Sequence, residues 1–131
     1  MSPHATARAS ATRDRGAVDV SVEMLFGTVA VLMALLVVFE AVAYWHARNV
    51  FDDAAADGAR IAAAFDGTCD AGVAAAREAI VRHATSWADD VEITCTDAPM
   101  VTVTVRGRTP GVVGDAVGVR AVVSEQAPKE R

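Results

Sequence analysis

The chain has 131 residues, of which 53% are hydrophobic and 22% charged, and its formal net charge is −5. This length leaves room for one small domain beside an extended segment. The acidic balance, with no clustered basic face, excludes a nucleic-acid-binding surface built on electrostatic attraction.

Residues 1–16 are rich in Ala, Ser, Thr and Arg and show no apolar periodicity. This composition predicts a disordered cytoplasmic tail or leader. An uncharged run from Met24 to Phe39 follows, and only Glu40 interrupts its continuation to Trp45. A helix from Met24 to Trp45 would be about 33 Å long against an apolar bilayer core of about 30 Å, which predicts a transmembrane helix over residues 17–45.

The flanks of this run predict its orientation. Three arginines precede it, whereas the first turns after it carry Arg48 against Asp52 and Asp53. Because basic residues near a span stay in the cytoplasm, we expect a single pass through the plasma (inner) membrane, with the N-terminus inside and the rest outside.

A secretory signal peptide is the alternative, since Ala41-Val42-Ala43 has the small-x-small pattern of a signal-peptidase site. Against it, the apolar run is at or beyond the usual length of such regions, and a helical pattern crosses the cut. The candidate cleavage after Ala43 therefore stays open as the rival interpretation.

Beyond the membrane, an apolar stripe with alternating spacings of four and three predicts that the helix continues over residues 46–66. The stripe could pack on its own domain or on a neighbouring subunit, and the pattern does not separate these two outcomes. Its members are Ala47, Phe51, Ala54, Gly58, Ile61 and Phe65.

Residues 67–131 are predicted to form a small extracytoplasmic head. A second helix is expected over residues 71–88, and alternating valines and threonines then predict antiparallel strands over residues 91–96 and 101–106. A loop over residues 107–118, a third strand over residues 119–124 and a frayed tail over residues 126–131 complete the chain. The predicted fold class is α+β, with two helices and a three-stranded antiparallel sheet.

Cys69 and Cys95 both fall in the part predicted to lie outside, where disulfides persist. Pairing them is the economical hypothesis. A zinc site formed by both cysteines and His83 is a weaker alternative, because three ligands at no familiar spacing do not make a usual zinc motif. His83 is otherwise expected to be a surface or boundary residue.

Three acidic residues, Asp19, Glu23 and Glu40, lie in or near the span, where ionisable groups are costly. Asp19 and Glu23 share one helix face near the cytoplasmic end. They either mark the headgroup region, or one of them pairs with a positive group of a neighbouring subunit or export machine.

Four motifs carry a resemblance to a known family: Arg15-Gly16-Ala17-Val18, Glu23 at the start of a long apolar helix, residues 40–44 (Glu-Ala-Val-Ala-Tyr), and the alanine-rich residues 54–64. The sequence resembles the TadE-like proteins, which are minor pilins or pseudopilins of the tight-adherence type IV pilus system. The resemblance covers residues 13–65 well and the Val-Thr-Val-Thr-Val strand more loosely. The Ala, Val and Arg content is similar to that of actinobacterial members.

The resemblance implies cleavage by a prepilin peptidase between Gly16 and Ala17, with Glu23 as the acidic residue used in assembly. In the family pattern this acid is the fifth residue of the mature chain. Here Glu23 is the seventh residue after Gly16, and the fifth is Ser21.

Two classes of function remain. The first is a minor pilin-like subunit whose partners are the membrane, other pilin-like subunits and the pilus assembly or secretion machinery. The second is an exported binding module unrelated to pili. An enzyme is not expected, because the sequence shows no nucleophile with a base, no phosphate-binding glycine motif and no metal-ligand cluster, so neither a cofactor nor a small-molecule substrate is expected.

Overall fold

A computed structural model describes residues 3–84, 86–88, 90–117 and 119–130. The elements, in chain order, are α1 (Pro3–Ala63), α2 (Cys69–Ala84), β1 (Val91–Thr96), β2 (Val101–Arg108), α3 (Val112–Val117) and β3 (Arg120–Ala127). This arrangement confirms the predicted α+β class with a long N-terminal helix and a three-stranded antiparallel sheet. Six residues covered by the sequence predictions lie outside the described part of the chain: Met1, Ser2, Thr85, Asp89, Gly118 and Arg131.

The chain divides into two compact units, Met1–Val38 and Phe39–Arg131. The first unit consists, where described, of the N-terminal part of α1. Its helical backbone begins at Pro3 and includes residues 3–15, for which the sequence predicted disorder. Proline is well suited to a first helical turn, and the alanines and arginines that follow have high helix propensity. That residues 1–16 form a separate tail or leader stays a prediction.

The second unit, which we call the head, contains the end of α1 and all later elements. Its sheet has the order β1-β2-β3, with β2 in the centre and both neighbours antiparallel to it. Because side chains alternate across a strand, Val101, Val103 and Val105 of β2 share one face, and all three are fully buried. This valine face packs on α1 and α2 to form the core, to which the two helices contribute mainly alanines together with Val50, Phe51 and Ile80.

The outer face of the sheet carries mainly polar side chains. Thr104 of β2 lies opposite Ser124 of β3, and their hydroxyl oxygens are 2.8 Å apart. One buried and one polar face is the pattern of an antiparallel sheet that packs on helices from one side only.

The second helix ends at Ala84, four residues earlier than predicted. Trp87 donates its backbone N–H to the Ala84 carbonyl at 3.2 Å, which closes a turn after the helix. The Trp87 ring then packs near Phe51, with ring centroids 5.7 Å apart. The apolar spacing that included Trp87 predicted a longer helix, but it is this turn that brings Trp87 to the core.

The predicted loop over residues 107–118 was also wrong in part. Strand β2 continues through Arg108, and residues 112–117 form the short helix α3. Gly111, which precedes the helix, has a φ of +128°, a conformation that glycine adopts without steric cost. The glycines and proline that predicted a loop therefore form the entry to α3.

The last residues are tied to the end of α1, which corrects the predicted frayed tail. Strand β3 continues to Ala127, opposite Val101. Beyond it, Lys129 Nζ donates to the carbonyls of Ala62 at 2.8 Å and Gly67 at 2.6 Å, and Glu130 N donates to the Ala63 carbonyl at 2.8 Å. Carbonyls at a helix C-terminus lack partners within the helix, and a lysine is favoured there by the helix dipole.

Candidate functional site

The first unit presents an apolar surface that no other part of the described chain covers. From Gly16 to Val38 every side chain is exposed except that of Leu36, which is half-buried; Phe26, for example, is 71% exposed. The helix is long and apolar enough to cross a membrane, by length and composition. Such a surface needs an apolar partner, either lipid or other helices.

Polar groups within this apolar surface are of two kinds. The hydroxyls of Ser21 and Thr28 donate to the carbonyls four residues earlier, those of Ala17 at 2.9 Å and Met24 at 2.8 Å. This bonding satisfies a hydroxyl without an outside partner. Asp19 and Glu23 are exposed acids, and a carboxylate on an apolar helix is costly in lipid unless it meets water or a positive group.

The candidate peptidase site, Gly16 and Ala17, lies on α1 and is exposed. Apart from the helix itself, no atom of the described residues lies within 4 Å of the position that a Gly16 Cβ would occupy. Ser21, the fifth residue after Gly16, is hydrogen-bonded to Ala17, whereas Glu23 is exposed further along. Processing at this site stays a prediction.

The rival cleavage site, Ala41 and Ala43, lies inside the continuous helix α1. Ala43 is half-buried, the adjacent Tyr44 packs against the core, and Ala47 is fully buried. A cut after Ala43 would thus fall where α1 already packs on the head, and cleavage there stays a prediction.

The predicted stripe of α1 is buried in the head over its first four members, Ala47, Phe51, Ala54 and Gly58. Its last two members do not pack in the head, since Ile61 is 37% exposed and Phe65 is 77% exposed. Phe65 also lies beyond the end of α1, where the sequence predicted helix, and packing of these two residues on a neighbouring subunit stays a prediction. The alternation of four and three has a period of 3.5, whereas an α-helix turns once every 3.6 residues, so the buried face drifts away from such a stripe. The residues buried in its place are Val50, Ala55, Ala59, Ala62 and Ala63.

Two glycines bring α1 and α2 into close contact. A Cβ added to Gly58 would lie 2.7 Å from the carbonyl oxygen of Gly72, and one added to Gly72 would lie 2.6 Å from that of Gly58. Neither helix could approach this closely with any larger residue. At Gly58 the stripe therefore serves packing within the head.

Cys69 and Cys95 form a disulfide, which confirms the predicted pairing. Cys69 is the first residue of α2 and Cys95 lies in β1, with 5.6 Å between their Cα atoms. The bond joins helix and sheet directly. It also overturns the zinc alternative, because disulfide sulfurs are not thiolate ligands, and His83 is exposed on α2 as expected.

Glu40, predicted only as an acid near the outer end of the span, contacts the segment that leads into α3. Val113 N donates to Glu40 Oε1 at 2.8 Å, across 73 residues of sequence. Gly111 packs so closely that a Cβ there would be 2.5 Å from Glu40 Oε2. No local sequence signal could reveal this contact.

A second contact that the sequence did not predict is between two carboxyl groups, one on α1 and one on β3. A hydrogen bond with the Asp52 side chain, together with partial burial and the negative charge of Asp52, raises the pKa of Glu125. Two carboxylates in contact repel each other, so the protonated form of one is favoured. The arrangement ties the α1–β3 contact to pH.

A shallow surface cleft of about 450 Å³ lies between the segment after α2 and the end of β2. It is lined by polar residues (Ser86, Asp90, Arg108 and Thr109) together with Trp87, Pro110 and Gly111. Its carboxylate, Asp90, is 2.6 Å from the guanidinium of Arg120. Among the described residues, no group of three or more His, Cys, Asp or Glu is placed to hold a metal ion.

Residues 20–60 match the model of the family described as TadE-like protein. Neither the curated proteins nor the solved structures gave a significant match. The matched segment begins one residue after Asp19, contains Glu23 and Glu40, and ends beside the Gly58 contact, so it coincides with the apolar surface and the first part of the buried stripe. The match confirms the TadE-like family resemblance over residues 20–60, the stretch of α1 that carries the exposed apolar surface.

Proposed function

We propose that this protein is a minor pilin-like subunit of the TadE-like type that takes part in assembling a tight-adherence type IV pilus or a related secretion apparatus. The observation that carries the proposal is the family match over residues 20–60, which falls on a helix that exposes nearly all of its apolar side chains over residues 16–38. TadE-like pilins are a structural, non-enzymatic family. We therefore propose a structural role without catalysis, cofactor or small-molecule substrate.

The proposed location is the plasma (inner) membrane, with residues 17–45 as the transmembrane helix, residues 1–16 in the cytoplasm and residues 46–131 outside. Three observations support it. The helix is long and apolar enough to span, arginines concentrate before the span, and a disulfide of the kind that persists in oxidising compartments joins Cys69 to Cys95.

The proposed partners are other pilin-like subunits, which would pack on the exposed apolar surface of α1, and the pilus assembly or secretion machinery. Helices associate in lipid through close packing and polar contacts, and Glu23 supplies a polar group on this surface. A prepilin peptidase is the proposed processing enzyme, with cleavage between Gly16 and Ala17.

Replacement of Glu23 tests the assembly role. We expect Glu23→Ala to insert into the membrane as the wild type does but to fail in pilus assembly, because an uncharged helix still partitions into lipid while the polar contact is lost. Membrane fractionation and electron microscopy of surface pili measure the two properties. Asp19→Ala is the matched control, since it removes a carboxylate one turn earlier on the same face and should leave assembly intact.

Normal pili in the Glu23→Ala strain would contradict the assembly role of this residue. Deletion of the gene separates the two functional classes: loss of pili supports the pilin-like subunit, whereas intact pili with an altered surface phenotype support an exported binding module. The N-terminal sequence of the membrane form tests the processing, with Ala17 expected as the first residue.

A further inference from the structure

The segment between β2 and β3 contacts α1 at Glu40, through a hydrogen bond and close packing. The hydrogen bond from Val113 N to Glu40 Oε1 is 2.8 Å long, and Gly111 lies against the same carboxylate. Gly111 has a φ of +128° and could not carry a side chain at this distance. The start of α3 is thus held at the depth of Glu40 along α1.

The number of helical residues between Met24 and Glu40 gives the depth of Glu40 in the bilayer, provided that residues 17–45 form the proposed transmembrane helix. An apolar core of about 30 Å corresponds to about 20 helical residues at 1.5 Å each. Counted from Met24, the first residue after Glu23, the core extends to Ala43. Glu40 then lies about 4.5 Å inside the outer edge of the core, and the start of α3 must lie at a similar depth.

The side chains at this level are apolar and exposed within the head. Val112, the first residue of α3, is 75% exposed, and Val113 is 41% exposed. On the adjoining turns of α1, residues that turn away from Glu40 are also exposed: Phe39, Val42 and Trp45. Such a concentration of apolar surface is unfavourable in water and favourable at the boundary between headgroups and acyl chains, where tryptophan also accumulates.

We propose that α3 is an interfacial membrane-contact segment, in which Val112 and Val113 enter the outer leaflet at the boundary between headgroups and acyl chains. The backbone of α3 supplies a hydrogen-bond donor to Glu40 at a depth where a carboxylate is costly. With only six residues, α3 is far too short to cross the apolar interior and suits the interface. The head is therefore held partly in the membrane surface at a fixed depth.

Site-directed spin labelling of the full-length protein in phosphatidylcholine vesicles tests this placement. The native disulfide occupies Cys69 and Cys95, so a single added cysteine takes the nitroxide. Val112→Cys is the test variant, and Val113→Cys is a second one. Accessibility to oxygen, which concentrates in lipid, is compared with accessibility to a water-soluble nickel chelate.

Val122→Cys is the matched control, because Val122 is an exposed valine of the head at a higher level. Its neighbour Ala121 pairs with Gly107, whose absent Cβ would lie 2.7 Å from the Phe51 ring. Phe51 is eleven residues beyond Glu40, or about 16 Å along α1. Leu32→Cys reports on the span itself.

We expect labels at 112 and 32 to be more accessible to oxygen than to nickel, and the label at 122 to show the reverse. If the label at 32 is in lipid while that at 112 behaves like that at 122, the interfacial placement is overturned and the transmembrane anchor stands. If all three labels are aqueous, the proposed anchor itself fails. Spin–spin broadening at 112 with little access for either reagent would show that a second copy covers α3, which also overturns the inference.

Discussion

Two stretches of α1 are both rich in apolar residues and have opposite surroundings. In residues 24–39 the apolar side chains are mainly large (Val, Leu, Met and Phe) and nearly all exposed, whereas in residues 47–63 the buried face, which contacts the rest of the head, is mainly alanine. Large apolar residues all round a helix suit lipid or neighbouring helices, and small ones on a single face suit close packing of backbones. The size and angular spread of apolar residues, and not their number alone, distinguish the two roles.

Two phenylalanines give the sharpest test of this contrast. Phe51 is fully buried against Trp87 and Gly107, whereas Phe39 is 72% exposed. We expect Phe51→Ala to lower the free energy of unfolding of the head by about 3–5 kcal/mol, because it removes a large core side chain and leaves a cavity. Urea unfolding of the full-length protein in detergent micelles, followed by tryptophan fluorescence, measures the change. Phe39→Ala should leave the head's stability nearly unchanged, and equal losses for both variants would contradict the contrast.

The disulfide is expected to have the next largest effect. In the chain-entropy model, closing a 26-residue separation stabilises by about 3.5 kcal/mol, so the double variant Cys69→Ala/Cys95→Ala should unfold at correspondingly lower urea concentration. The same unfolding assay with added reductant supplies the control. Reductant should destabilise the wild type and leave the double variant as it was, and a wild type unaffected by full reduction would disprove the stabilising role.

A smaller effect is expected at the α1–α2 contact. Gly58→Ala places a Cβ 2.7 Å from the Gly72 carbonyl oxygen, so the helices must separate, at a cost of about 1–3 kcal/mol in the head's unfolding free energy. Gly27→Ala is the matched control on the same helix, because nothing lies within 4 Å of its added Cβ. Thermal unfolding of both variants measures the difference, and a Gly58→Ala head as stable as the Gly27→Ala head would refute the close packing.

The smallest effect concerns pH. Contact with Asp52 raises the pKa of Glu125 in the folded protein, so this pair contributes stability at acidic pH that is lost as pH rises through the raised folded pKa. Glu125→Gln should therefore shift the urea midpoint slightly upward at neutral pH and leave it unchanged at acidic pH.

Asp52→Asn should raise the urea midpoint at neutral pH by the same amount, because it removes the carboxylate that raises the pKa of Glu125. The double variant Asp52→Asn/Glu125→Gln should show no larger shift than either single variant. Additive shifts, or a shift of equal size at acidic pH, would show that the two carboxyl groups act independently.

Local patterns were sufficient for most elements of the fold. Alternating valines and threonines in residues 101–105 predicted β2 correctly, and the apolar run predicted the exposed helix. The predictions that failed depended on distant contacts. The stripe beyond Gly58 was extrapolated with a period of 3.5, the end of α2 depends on the packing of Trp87 on Phe51, and α3 begins where Glu40 accepts a hydrogen bond from Val113. A periodicity argument contains no information on which distant residue supplies such a partner.

The candidate site divides in the same way. Composition and charge singled out Glu23 and the cysteine pair, because a carboxylate in an apolar run and two cysteines beyond it stand out locally. Gly16 was named only through the resemblance to the TadE-like proteins. The contacts of Glu40 with the α3 segment and of Asp52 with Glu125 cross 73 residues of sequence or join separate elements, so the residues involved look like ordinary surface acids until the chain is folded.

The lysine near the end of the chain gives the head a mechanical property. Lys129 and Glu130 attach the strand β3 to the end of α1, through the carbonyls of Ala62 and Ala63, and to the turn that follows it, through the carbonyl of Gly67. A force that pulls on α1 therefore reaches the sheet by two routes, through the side chains packed along α1 and through these hydrogen bonds near the C-terminus. Load shared between parallel attachments resists rupture better than load on either one alone.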